Sequence, residues 1–566
     1  MIRLPLPGAA CLITLGALAC TTSDNPTADL IAFNGRIHTV DDSIPNATAL
    51  VVSGGRVLYV GDSAGAMAFR TDETQLADLQ GNTVIPGMVD AHAHLAGLGA
   101  ALRNVDLVGT ESYEEVIARV VERAREVPAG TWIIGRGWDQ NDWPDTRFPT
   151  HAELSRAVPD HPVVLTRVDG HATLVNAAAI REANLTNGTA DPSGGRIERL
   201  PDGSLSGVLV DRAMGLVGRA IPPTSAEELR ASVLAAVAEA NRWGLIGVHD
   251  AGVGRRVIDV YEALAAEGRY DLRNYVMISS DDSTLAHYFA RGPQSALHDG
   301  RLWIRAIKIS ADGALGSRGA ALHAPYSDEP SHSGLLLVPP ERVKDVAVRA
   351  LQNGFQLNVH AIGDRGNTVV LDAFEQALAE VPTQDHRFRV EHAQILTPDD
   401  IRRFAQLRVI PSMQASHQTS DMYWAERRVG PERIRGAYAW RALLNTGVVI
   451  PNGSDFPVEQ VNPLISFHAA VTRQDAKNWP DGGWYPEQTM TREEALKSMT
   501  IWPAHAAFQD SLMGALSPGK YADFVVLDRD IMSVPDTAIL GTRVLATYLG
   551  GRAVYEDSVW AGPANP

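Results

Sequence analysis

Beyond its first twenty residues this sequence has no cysteine, and that absence excludes several kinds of chemistry. The chain has 566 residues and two cysteines, Cys11 and Cys20, both in an apolar segment near the start. A disulfide framework, a cysteine-ligated metal and a thiol nucleophile are therefore excluded for the rest of the chain. If the protein passes through an oxidising compartment, its fold does not depend on cross-links there.

An excess of positive charge and long apolar runs are also missing. Lysine and arginine together number 50 against 67 acidic residues, which gives a formal net charge of −17. This balance argues against nucleic acid as a partner, because a nucleic-acid surface needs a basic patch. Acidic charge keeps a protein soluble without identifying its substrate. Beyond the N-terminal segment no apolar run is long enough to predict a membrane span.

The N-terminal segment has the features of an export signal. Arg3 precedes an apolar run, Ala9–Ala19, that is too short for a transmembrane helix but suits the core of a signal peptide. The small residues before Cys20 resemble the lipobox of bacterial lipoproteins, whose cysteine becomes lipidated; an ordinary cleaved signal is the alternative. We therefore expect residues 1–20 to be a lipoprotein-type signal peptide of an exported, periplasmic or cell-envelope protein. Its membrane contact would be only through a lipid anchor at Cys20.

The long middle of the chain alternates short apolar strands with helical segments. One helix is well marked, because Ser225 and Glu228 form a capping box and Gly244 follows its last turn. Eight strands in such alternation predict an α/β fold, a (β/α)8 TIM barrel. The predicted strands are Thr83–Ala91, Leu245–Asp250, Leu272–Ser279, Leu302–Ile309, Phe355–His360, Phe388–His392, Arg408–Met413 and Val448–Gly453.

The two ends of the chain and one long interval lie outside the predicted barrel. Both ends contain short strands with tight turns, which predict a small β-sandwich domain formed by both termini. About 150 residues separate the first two barrel strands, where such a barrel needs a few tens, so we predict an inserted α/β subdomain covering the active site. The predicted domains are the composite β-sandwich at 28–82 and 510–560, the barrel at 83–104 and 223–509, and the insertion at 105–222.

Histidines and an aspartate stand at the ends of predicted strands, where a TIM barrel places its active site. His92 and His94 follow the first strand, and because alternate strand residues share a face, both imidazoles can reach one ion. His360 and His392 each close a later strand, and Asp455 follows the eighth. Each residue alone could be structural, Asp455 as a helix cap for instance. Together they predict a metal site in which Asp455 also transfers protons.

Lys308 lies near the end of the otherwise apolar fourth strand. A buried lysine is costly unless it is paired or neutralised. Two interpretations are open. Lys308 forms a buried ion pair, or it reacts with CO2 to give a carbamate that bridges two metal ions.

The order of these residues, HxH, Lys, His, His and Asp, resembles the binuclear form of the amidohydrolase superfamily. The resemblance covers nearly all of the chain after residue 28. Several motifs narrow it to the amidohydrolase 3 or YtcJ-like branch, which includes N-substituted formamide deformylase, and none of them specifies a substrate. These narrowing motifs are Gly135–Gln140, Asp169–His171, Lys308–Arg318 and Asn358–Asp364. Val84–His94 resembles the entry signature of the whole superfamily, and Gly514–Asp523 resembles its C-terminal return to the small β-sandwich.

The resemblance implies a centre with two divalent metal ions, by default zinc. The implied ligands are His92 and His94 for one ion, His360 and His392 for the other, carboxylated Lys308 between them, and Asp455 on the first. Metal-activated hydroxide would attack a carbonyl group, while Asp455 takes a proton and passes it to the departing amine. The implied activity is hydrolysis of a carbon–nitrogen bond in a small non-peptide amide or formamide-like molecule, an EC 3.5 reaction.

Substrate contacts and alternative activities stay open at this point. Asp169 and His171 lie in the insertion and form either part of a substrate lid or a plain polar turn, and Asp312 is a further predicted substrate residue. Four other histidines, among them His417, have no comparable context and receive no role. The same metal pair could hydrolyse an ester, lactone or phosphotriester, and a metal-dependent isomerase or lyase is compatible with the fold. A non-catalytic exported binding lipoprotein is a further hypothesis, and the sequence allows a homodimer.

Overall fold

The computed structural model describes residues 27–140, 143–145, 147–167, 172–192, 195–222, 224–316, 318–560 and 562. The predicted signal segment with Cys20 lies outside these residues, as do Asp169 and His171, so their roles stay predictions. Within the described ranges, no helix is both long and apolar enough to cross a membrane.

Eight parallel strands in the middle of the chain form a nearly closed barrel. Each strand pairs in parallel with the next one along the chain. This arrangement confirms the predicted TIM-barrel fold, and each predicted strand overlaps an observed one. From first to eighth, the barrel strands are Met88–Ala93, Leu245–Val253, Arg273–Ser279, Leu302–Ser310, Gln356–Ala361, Arg389–His392, Ile410–Gln414 and Asn452–Gly453.

Helices cover the outer face of the barrel. The helix Ala226–Arg242 begins with the predicted capping box of Ser225 and Glu228, and it buries Val233 and Val237 against the strands. Buried residues of strands and helices form one large apolar core. The other α-helices of this part are Leu95–Ala101, Arg255–Ala266, Asp282–Arg291, Leu297–Gly300, Pro340–Gln352, Asp364–Glu380, Pro398–Leu407, Ala415–Asp421, Ala425–Arg433, Trp440–Leu444, Pro463–Thr472, Arg492–Ser498 and Ile501–Ala506.

The first predicted barrel strand is two strands in the structure. Only Met88–Ala93 enters the barrel, whereas Thr83–Pro86 joins a sheet with strands from both ends of the chain. Gly87 lies at the change of sheet, and a Cβ there would come within 2.3 Å of the Ile246 side chain. The prediction of one continuous strand over Thr83–Ala91 was therefore wrong, because Pro86-Gly87 breaks the run where the chain changes sheet.

Strands from both ends of the chain build two further sheets that share a buried apolar core. One sheet has the order Arg56–Gly61, Ala49–Ser53, Leu30–Phe33 and Gln75–Asp78. The other has the order Arg552–Glu556, Val544–Leu549, Phe524–Leu527, Thr83–Pro86, Arg36–His38 and Asn46–Ala47. A buried ion pair joins this region to the barrel, since Arg273 donates to Asp523 at 2.5 and 2.8 Å.

Residues between the first and second barrel strands form a sheet of their own. The short helix Leu95–Ala101 leads into it directly from the mouth end of the first barrel strand. The sheet has the order Gly195–Arg199, Leu205–Asp211, Ala172–Val175, Val163–Arg167, Ile133–Trp138 and Val105–Asp106. Its helices are Tyr113–Glu126, His151–Ala157, Ala177–Glu182 and Met214–Gly218.

Candidate metal centre

His92 and His94 face Asp455 across the seam between the first and eighth barrel strands. The seam is held by Asp90, whose carboxylate accepts hydrogen bonds from the Ser454 backbone N–H at 3.0 Å and from its hydroxyl at 2.6 Å. Asp455 Oδ1 lies 3.1 Å from His94 Nε2 and 3.6 Å from His92 Nε2. One ligand atom from each of His92, His94 and Asp455 lies within 4.8 Å of the others, so the structure brings three predicted ligands together.

A second cluster contains His392, His417 and Asp455, whose ligand atoms also lie within 4.8 Å of one another. The rings of His392 and His417 stack with centroids 5.7 Å apart and planes at 19°. His417 Nε2 lies 3.7 Å from Asp455 Oδ2. Sequence reasoning gave His417 no role, because it lies in the helix Ala415–Asp421 and not at the end of a strand. Its position three residues after the seventh strand was the signal available.

His360 is the last but one residue of the fifth barrel strand and lies beside the second cluster. Its ring meets His392 edge-on, with centroids 4.5 Å apart and planes at 74°. His360 Nε2 is buried without a hydrogen-bond partner among the described residues, and it lies 3.5 Å from Asp312 Oδ1. Burial lowers the pKa of His360 to about 3, so the ring is neutral and its lone pair is available to a metal.

Asp312, the predicted substrate residue, lies behind His360 and is fully buried. Its carboxylate accepts hydrogen bonds from the backbone N–H groups of Ala321, Ile362 and Gly363, at 2.8, 3.0 and 2.9 Å. Burial raises the pKa of Asp312 to about 6. This placement favours a residue that positions His360 and the adjoining loop over one that contacts substrate.

Lys308 reaches the centre from the fourth barrel strand. Its Nζ lies 3.2 Å from His92 Nε2, and the side chain is buried. Burial lowers the pKa of Lys308, although the charges of Glu391 and Asp455 oppose that shift. None of the carboxylates that the structure describes forms an ion pair with Lys308, so the ion-pair interpretation has no partner in this part of the chain.

In three of the histidines Nδ1 contacts an outer partner, so Nε2 is directed toward the shared centre. Such outer partners fix the tautomer and direction of a metal-binding imidazole. Sequence could not name them, because each comes from a different strand. The pairs are His92 with Glu391 Oε2 at 2.6 Å, His392 with Gln414 Oε1 at 2.7 Å, and His94 with the carbonyl oxygen of Ala251 at 3.1 Å.

The protonation states of His92, His392 and Asp455 suit a cation. Burial lowers the pKa of His92 and His392 well below the usual range of histidine, so both are neutral. Burial would raise the pKa of Asp455, but the hydrogen bond from His94 holds it below its usual range. Neutral imidazoles and an ionised carboxylate are the forms that bind a divalent metal. One buried ligand atom, His417 Nε2, has no hydrogen-bond partner among the described residues, which fits metal ligation.

A barrel with convergent histidine and aspartate side chains at the C-terminal ends of its strands defines a class, the metal-dependent hydrolases of amidohydrolase type. The sequence family described as "Amidohydrolase family" matches residues 75–555. The chain belongs to that family.

Curated relatives resemble the chain over most of its length. "Protein LONG AFTER FAR-RED 3" of Arabidopsis thaliana is 34% identical, with 93% of this chain and 92% of the relative covered. "Putative amidohydrolase YtcJ" of Bacillus subtilis is 30% identical over 93% and 99% of the two chains. "N-substituted formamide deformylase" of Arthrobacter pascens is 29% identical over 93% and 98%. These relatives confirm the branch that the sequence motifs predicted.

A solved structure agrees with the same assignment. The crystal structure of an uncharacterized metal-dependent hydrolase from Pyrococcus furiosus superposes with a TM-score of 0.75 and 30% identity. The match covers 89% of this chain and 100% of that one. The protein is thus a metal-dependent hydrolase of the amidohydrolase family.

Proposed function

We propose that this hydrolase cleaves a carbon–nitrogen bond in a small non-peptide amide or formamide-like substrate, using two divalent ions that are by default zinc. The observation that carries the proposal is the pair of ligand clusters that share Asp455 at the mouth of the barrel. The similarity to an N-substituted formamide deformylase supports the choice of bond.

Asp455 is the catalytic residue of the proposal. Ions bound at these side chains would supply a Lewis acid and would make a bound water more acidic. Asp455 Oδ1 faces His92 and His94 while Oδ2 faces His417, so the carboxylate lies between the two clusters. Because its pKa is low, it is ionised at neutral pH and can accept the proton of the attacking water. It then returns that proton to the departing amine nitrogen, which would otherwise leave poorly.

We further propose that Lys308 is carboxylated. Its amine would attack CO2, form a nitrogen–carbon bond and lose one proton, which leaves a carbamate with two oxygen donors. The supporting observations are its burial, its distance of 3.2 Å from His92 Nε2, and the absence of an ion pair in the described part of the chain. Native mass spectrometry tests the modification. Acid treatment should remove the carboxyl group from Lys308, and added bicarbonate should restore it.

A substrate panel tests the proposed reaction. Zinc-loaded protein is offered N-substituted formamides, linear and cyclic amides, esters, lactones and phosphotriesters at matched concentrations. The proposal predicts the highest kcat/KM on an amide or formamide. A preference for an ester, lactone or phosphotriester would contradict the proposed carbon–nitrogen bond. It would leave the proposed metal centre unaffected. Ligand binding without turnover, unchanged by chelation, would favour a binding protein instead.

Export to the cell envelope is part of the same proposal, and it rests on the segment Ala9–Cys20. Radiolabelled palmitate supplied to expressing bacteria should enter the wild-type protein and not the Cys20→Ala variant. Cell fractionation of the two proteins then distinguishes a lipid anchor from an ordinary cleaved signal. Recovery of both proteins from the cytoplasm would contradict export.

A further inference from the structure

The seventh barrel strand supplied no predicted metal ligand, yet the helix after it brings an imidazole to the centre. We propose that His417 is a ligand of the second metal ion, in a set with His392 and Asp455. The inference rests on one part of the proposed function, namely that the centre binds metal ions. It differs from the pair expected from the superfamily resemblance, His360 with His392.

The position of His417 is fixed by the fold. The helix Ala415–Asp421 begins directly after the seventh strand, and the Ala415 N–H donates to Asn452 Oδ1 of the eighth strand at 3.0 Å. This bond ties the helix start to the strand that leads into Asp455. The distance between His417 and the Asp455 carboxylate is therefore fixed by this contact, and the position of His417 does not depend on a long loop.

The ring of His417 presents an unused donor to the centre. Its Nε2 is buried, has no hydrogen-bond partner among the described residues, and lies 3.7 Å from Asp455 Oδ2. A buried polar atom without a partner is costly, so a purely structural histidine would be expected to find one. His360 Nε2 is also buried without such a partner, but the cluster whose ligand atoms lie within 4.8 Å of one another contains His392, His417 and Asp455 and not His360.

The two oxygens of Asp455 divide the centre. Oδ1 is directed at His92 and His94, and Oδ2 at His417, which stacks on His392. Each cluster then offers two imidazoles and one carboxylate oxygen. A carboxylated Lys308 would add one oxygen to each set, and nitrogen and oxygen atoms are the ligand types that zinc takes.

Metal content tests the assignment. Purified full-length wild type, His417→Ala and His417→Gln are saturated with zinc, freed of excess ion and analysed by inductively coupled plasma mass spectrometry. The proposal predicts a fall from about two ions per chain to about one in both variants. The matched control is His323→Ala, since His323 is exposed and bonded to Thr368. Both His417 variants keeping the wild-type metal content would overturn the proposal.

A second measurement uses only the wild-type protein, so it tests the proposal even if the His417 variants do not fold. Diethylpyrocarbonate acylates free imidazole nitrogen, and peptide mapping locates the product. We expect His417 to be acylated after zinc removal and protected in zinc-loaded protein, while His323 reacts in both. Equal labelling of His417 with and without zinc would overturn the proposal.

These results are separable from those on the reaction. If the His417 variants lose an ion but no amide is hydrolysed, the ligand assignment stands and the proposed function fails. If the wild type hydrolyses amides while the His417 variants keep their metal, the function stands and the ligand assignment fails.

Discussion

The two halves of the metal centre are built differently. The first half, His92 and His94, lies two residues apart on one strand, and Asp90 fixes that strand to the one before Asp455. The second half collects His360, His392 and His417 from two strands and a helix. A local spacing in the sequence specifies the first half, whereas only the closed barrel specifies the second.

The halves also differ in how their rings are held. In the first half both Nδ1 atoms have partners, Glu391 and the Ala251 carbonyl. In the second half His392 is held through Nδ1 by the side-chain amide oxygen of Gln414. Because a carboxylate partner makes an imidazole a stronger ligand, we expect the first half to bind its ion the more tightly.

Asp455 is common to both halves, so its removal should have the largest effect. Asp455→Asn removes the charge shared by both clusters and the group that accepts the proton. We expect kcat/KM to fall by about 10³-fold or more, together with loss of metal from both halves. Steady-state kinetics on the best amide of the panel and metal analysis check this. Retention of activity within tenfold of the wild type would contradict the role of Asp455.

A variant of Lys308 tests whether a carbamate bridges the two metal ions. We expect Lys308→Ala to lower metal content from about two ions per chain to about one, because the carbamate oxygens are lost. Short carboxylic acids such as formate or acetate should restore part of the activity by taking the place of the carbamate. About one ion in both wild type and variant would limit Lys308 to a structural role and leave the hydrolase assignment intact.

The outer partners sharpen the contrast between the halves. Glu391→Gln should lower the affinity for the first ion, and Gln414→Ala should lower the affinity for the second, each by about 10–100-fold. The Glu391 change should be the larger, since it removes a buried charge 2.6 Å from His92 Nδ1. Zinc titration against a competing chelator measures both. Equal effects would show that the charge of Glu391 adds nothing to metal binding.

The pH dependence of the metal-free protein tests the second half alone. Folding holds the pKa of His360 at about 3 against 6.5 in a free side chain. The stability from a neutral His360 is therefore complete above the unfolded value and is lost as pH falls from about 6.5 toward 3. We expect the Tm of chelator-treated wild type to fall more steeply across this range than that of His360→Gln. Identical slopes would contradict the pKa assignment.

The smallest effect on the centre should come from the region formed by both chain ends. Asp523→Ala leaves Arg273 buried without its ion pair, which should lower the free energy of unfolding by about 3–5 kcal/mol. Metal content should be unchanged, because this pair lies at the other end of the barrel from the histidines. Chemical denaturation and metal analysis check both statements. Loss of an ion in the folded variant would show coupling between the two regions.

The barrel and five of the clustered residues could be predicted because their signals are local. Apolar runs separated by helical segments mark the strands, and His92, His94, His360, His392 and Asp455 stand where those runs end. The change of sheet at Gly87 was missed, although the Pro86-Gly87 pair is a local signal for such a break. His417, Glu391 and Gln414 were missed because they matter through contacts between strands that are far apart in sequence.

Metal content and activity measured on one preparation test the central claim most directly. The wild-type protein is freed of metal with a chelator, assayed on the best amide substrate, reloaded with zinc and assayed again. We predict about two ions per chain after reloading, loss of activity without metal, and recovery with it. Protein that binds no divalent ion, or that hydrolyses the amide equally well after complete metal removal, would contradict the account.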